Sequence, residues 1–147
     1  MEKYDLLQAI CDVCKPGIYN LPIEFPRSNL KTKLTLPQVH LCDLDGNKIV
    51  DRCTLFQEIA TGLAFPETFG SNWDALADYI NDLCWLSGER TTIVYTQPEA
   101  FADRHPVDWS IFLEVLEEAV LNWSDTDTPL YVLFQSDRLT SWPVLPV

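Results

Sequence analysis

The spacing of apolar side chains divides this chain into helices and strands before any chemistry is considered. Leu6, Leu7, Ile10, Cys11 and Cys14 recur at helical spacing, which predicts an amphipathic helix over 3–14 ended by Pro16 and Gly17. Residues 18–36 hold Pro22, Pro26 and a basic cluster of Arg27, Lys31 and Lys33, and read as an irregular or extended connection. Val39, Leu41 and Cys42 then mark a strand over 38–44, and Asp45-Gly46 gives it a tight exit. Leu55, Phe56, Ile59 and Leu63 share one face of a helix over 54–63, with Asp51 or Cys53 near its cap. After a loop with Pro66 and Gly70, a second helix is predicted over 72–85, capped by Ser71 or Asn72. The β-branched run TTIVYT predicts a buried strand over 91–96, and a short helical turn falls within 97–102. A long helix over 108–122 follows, with Trp109, Phe112, Leu113, Leu116, Ala119 and Val120 as its apolar set. LYVLF, 130–134, is the third strand, and the tail 136–147 is expected to lie across the surface.

Strands separated by helices pair in parallel through right-handed crossovers. The fold class is therefore α/β, a small three-stranded parallel sheet packed with helices over 37–135. An N-terminal helical extension, 1–36, precedes it, and the tail 136–147 follows.

Charge narrows the function. Lys and Arg total 10 against 22 Asp and Glu, a net charge of −12. Such a field repels nucleic-acid phosphates and anionic membranes and attracts cationic partners. No stretch approaches the roughly 18 apolar residues of a membrane helix, and no export signal is apparent. The five cysteines are an odd, scattered set, which fits reduced thiols in a cytoplasm. Cys11 and Cys14 form a CxxC, but no second ligand pair accompanies it, so packing on a helix is the favoured reading over zinc. No cofactor is implied. His40 and His105 are isolated, and no GxSxG, P-loop or HExxH motif is present, so an enzyme is not expected.

The acidic residues are not evenly spread. From Cys53 to Glu89 there is no Lys or Arg, and Asp74, Asp78 and Asp82 stand at i, i+4 and i+8. At 100° per residue the three fall within an arc of roughly 80°. Like charges at this spacing cost an isolated helix about 0.2–0.5 kcal/mol per pair. Helix stability does not explain the row; a cationic partner does. A straight row does not converge on a point, so no metal site is expected.

The run from Phe65 to Asp78, FPETFGSNWDALAD, is similar to the signature loop and helix of the barstar family, small intracellular inhibitors of secreted ribonucleases such as barnase. The order of elements over 38–135 also resembles that family, so a barstar-like fold is implied. The resemblance implies that the loop and acidic helix plug the cationic active site of a ribonuclease or nuclease toxin. Asp74 and Asp78 would pair with its basic groups, with Glu67, Thr68 and Gly70 in the contacting loop and Asn72, Asn81 and Asp82 along the helix. A family glutamate on the long helix corresponds to Glu118, with Glu117 one register away. Where the family commonly places an aromatic loop residue and a tryptophan between the aspartates, this chain has Thr68 and Ala77, which points away from barnase itself as the target. The expected protein is a cytoplasmic immunity protein, monomeric when free. The alternative is an acidic regulatory or DNA-mimic protein that binds another basic partner.

Overall fold

The computed structural model describes residues 3–26, 28, 39–86 and 90–147. Of the basic cluster, Arg27, Lys31 and Lys33 lie outside the described residues.

Helix α1 (Leu6–Gln8) starts where the Asp5 carboxylate accepts from the Gln8 amide (3.1 Å). It widens at once into a π-helical turn, Ala9–Val13, closed by the Cys14 amide on the Ala9 carbonyl (2.8 Å). The helix predicted over 3–14 is thus shorter and mixed in type. It stops because Cys14 turns extended ahead of Pro16. Strand β1 (Ile18–Asn20) follows. Then come β2 (Val39–Asp45), α2 (Arg52–Gly62), α3 (Trp73–Ile80), β3 (Arg90–Thr96), α4 (Glu99–Arg104), α5 (Pro106–Trp123) and β4 (Leu130–Gln135).

Among the described residues the sheet has four parallel strands in the order β1-β4-β3-β2, not three. The extra strand comes from the start of the stretch read as an irregular or extended connection. Three residues are too few to show alternation, and β1 exists only because β4 offers it an edge, Ile18 opposite Val132. Each buried strand alternates between two cores, as period-2 side chains must. Cys42, Leu44, Ile93, Tyr95, Val132 and Phe134 face helices α2, α3 and α5. Val39, Val94, Tyr131 and Leu133 face the other way, against Leu6, Ala9, Ile10, Leu21 and Leu145.

That second core changes the standing of the chain's outer segments. The tail does not simply lie across the surface: Leu145 is fully buried, and Trp142 rests on Phe134 with ring centroids 4.6 Å apart. Asn20, itself buried, holds it there. Its amide donates to the carbonyls of Leu139 (2.7 Å) and Phe134 (3.3 Å), and its Oδ1 accepts from the Trp142 amide (3.1 Å). An apolar stripe needs a partner: the N-terminal segment and Leu145 find it on the sheet's second face, while Leu139 and Trp142 pack beside the first core.

Candidate protein-docking surface

The acidic helix is positioned by its caps. Asn72, not Ser71, is the N-cap, accepting from the Ala75 amide at 2.8 Å. The helix ends at Ile80, five residues before the predicted end. Asn81 folds its side chain back onto the Ala77 carbonyl (2.7 Å), Trp123 Nε1 donates to the Ile80 carbonyl (2.9 Å), and Leu83 turns left-handed (φ 47°). These bonds satisfy carbonyls that a continuing helix would have used. The apolar spacing of Leu83 and Cys84 suggested more helix; Leu83 is buried, but by way of a turn.

Asp82 is therefore not the third member of a helical row. It lies in the turn beyond α3. There the Cys84 thiol bonds to its carboxylate, which, with lost hydration and the nearby charge, holds the thiol above its ordinary value. The row reduces to Asp74 and Asp78, both exposed. Neither carboxylate has a salt bridge or hydrogen-bond partner among the described residues.

Leu76 and Ile80 define the buried side of α3. At 100° per residue, Asp74 and Asp78 then stand at the outward crest. Ala77 and Asn81 lie on the flank toward α5, where the Asn122 side chain donates to Asn81 Oδ1 (2.9 Å). Glu118 is one turn before Asn122 on the same stripe of α5 and is exposed, whereas Glu117 points about 100° further round. Ala75 and Tyr79 lie on the opposite flank, toward the loop.

The loop, 64–72, is tightly held. Trp85 Nε1 donates to the Leu63 carbonyl (2.9 Å), and Asn72 Nδ2 donates to the Gly70 carbonyl (3.3 Å). Phe65 and Phe69 turn inward and pack against each other with rings tilted by 60° (centroids 4.8 Å apart), leaving Glu67, Thr68 and Gly70 exposed at the tip. The Thr68 hydroxyl is not free; it meets the Tyr79 hydroxyl at 2.7 Å. Tyr79, Trp85 and Asn122 are absent from the sequence-derived candidates. Only long-range pairing reveals them, since nothing local separates Tyr79 from any other helical aromatic.

The model of the barstar (barnase inhibitor) family matches residues 39–135. This chain belongs to the barstar family. No curated protein matches it. Barstar-family members are inhibitors of ribonucleases and not enzymes. The matched span includes β2 to β4 with every helix between them, and hence the acidic helix and its loop. Residues 3–26 and the tail fall outside the barstar match, although they contribute β1 and much of the second core.

Other chemical candidates have structural positions. His40 Nε2 donates to the Gly62 carbonyl (2.8 Å), and His105 Nε2 donates to the Val50 carbonyl (3.1 Å). Cys11 and Cys14 are half-buried beside the second core, where loss of hydration pushes both thiols up. Among the described residues, no group of three or more His, Cys, Asp or Glu is arranged to hold a metal ion, and no helix is long and apolar enough to cross a membrane.

Proposed function

We propose that this chain inhibits a ribonuclease or nuclease toxin by laying α3 and the 64–72 loop into its cationic active site, and that it serves as an immunity protein. One observation carries the reading. Asp74 and Asp78 form an exposed, unrelieved pair on a capped helix, inside a stretch from Cys53 to Glu89 with no Lys or Arg. A carboxylate held outward without an internal partner retains its charge for a basic group on another molecule. Glu118, on the stripe that reaches α3 through Asn122, supplies a third carboxylate beside the pair. Membership of the barstar family supports a ribonuclease over any other basic partner.

The decisive measurement is calorimetric titration against basic ribonucleases, a co-encoded nuclease first, with barnase as a comparison expected to bind more weakly. Asp78→Ala is expected to weaken binding by about 2–5 kcal/mol, the scale of truncating one side of a buried charge pair. That scale rests partly on barnase and barstar themselves, so it illustrates the family and adds no separate support. Equal binding by wild type and Asp74→Ala/Asp78→Ala would show the proposed surface to be wrong. Recovery of a transcription factor in place of a nuclease would favour the regulatory reading of the same charge.

A further inference from the structure

Tyr79 occupies the loop-facing flank of α3, directly after Asp78. Its ring lies against Phe65, Phe69 and Trp85, with centroids 5.5, 5.4 and 5.9 Å away. Its hydroxyl reaches past those rings to the Thr68 hydroxyl, 2.7 Å away at the exposed tip of the loop. The two ends of the loop are fixed by other means. Ala64 (φ 54°) and Ser71 (φ 53°) both adopt the left-handed region, which non-glycine residues enter only under constraint. Trp85 holds the first end through the Leu63 carbonyl, and Asn72 holds the second through Gly70. Between them the Thr68–Tyr79 bond ties a tip side chain to the helix.

We infer that Tyr79 is the positioning residue of the docking surface: through Thr68 it sets the loop tip in register with Asp78 before a partner arrives. The inference rests on the docking role proposed above. A loop free in the unbound protein must lose that freedom on binding, and the loss weakens the complex. A loop already latched to the helix loses little and presents Glu67 and the two aspartates as one rigid surface. Complexes whose interfaces are ordered in advance also dissociate slowly once formed, because the bound geometry is the resting one.

The test uses Tyr79→Phe, which keeps the ring and removes only the hydroxyl, together with Thr68→Val, in the full chain. Amide hydrogen exchange read residue by residue should speed up over 67–70 in each variant, with no further gain in the double variant and no change in the α3 amides. With immobilised barnase as the binding probe, each variant should dissociate roughly three- to tenfold faster, in keeping with one modest hydrogen bond, while the association rate holds. Unchanged loop exchange in Tyr79→Phe would sink the inference, and so would faster exchange with unchanged dissociation. If wild type does not bind barnase, loop exchange alone decides. Asp74→Ala/Asp78→Ala keeps the two readings apart. If it binds as wild type does, the docking surface fails, and if it loses binding with normal loop exchange, that surface stands whatever happens to the latch.

Discussion

At the scale of single residues, close approaches count for as much as the acidic side chains. A Cβ on Gly62 would run into the sulfur of Cys42, which is fully buried under α2. Gly62→Ala is therefore expected to destabilise the fold by about 1–3 kcal/mol through overpacking, read from the urea midpoint, and Cys42→Ala in the same chain should restore part of the loss. Asn72→Ala removes the α3 cap and should cost about 0.5–2 kcal/mol by the same measurement. The two changes differ in how much of them the sequence could announce. Asn72 was legible as one of two cap candidates because capping is a local matter of spacing. The Gly62–Cys42 contact joins a helix end to a strand, and no local pattern encodes it. Asp74 and Asp78 were legible as an exposed acidic pair because charge and helical period are both local. The role proposed for Tyr79 was not, because it depends on where Thr68 folds.

At the scale of elements, local signals placed the helices and pairing decided the rest. Helix α2 carries a complete capping box, in which the Asp51 carboxylate accepts from the Thr54 amide (2.8 Å) and the Thr54 hydroxyl receives the Asp51 amide (3.0 Å). The Thr54 amide and hydroxyl hold the Asp51 carboxyl below the ordinary carboxylate range. A depressed acid contributes stability that is present above its unfolded pKa, about 3.9, and lost as pH falls through the lower folded value. Asp51→Asn keeps a good cap without the charge. Its urea midpoint should therefore fall less than that of wild type between pH 5 and pH 2, when the two are titrated side by side. The early end of α3 follows from three side chains converging on its last turn, two of them from α5, beyond the reach of periodicity. Strand β1 escaped notice for the same reason, since its three residues acquire extended structure by pairing across the fold.

Considered as a whole molecule, the protein separates its duties. The α3 crest, the loop and one stripe of α5 present acid on the helical side, while the two outer segments close the opposite face of the sheet. A chain of net charge −12 that exposes Glu67, Asp74, Asp78 and Glu118 on this side should steer a basic partner from beyond contact distance. Stopped-flow association with a basic ribonuclease is expected to slow at least tenfold as the Debye length shrinks from about 10 Å at 0.1 M salt to about 3 Å at 1 M, with a smaller change in dissociation. The closure of the opposite face has a kinetic meaning as well. Asn20 and Phe134 are bonded across 114 positions of chain, so β1 can join only when the two ends of the molecule have come together. Closing so long a loop carries an entropy cost that the shorter crossovers between β2, β3 and β4 avoid. Mutations in the β1–β4 seam, Asn20→Ala first among them, should accordingly speed unfolding while leaving the folding rate nearly untouched. The last seam to close would be the first to open, which makes it the clasp that sets how long the native state survives.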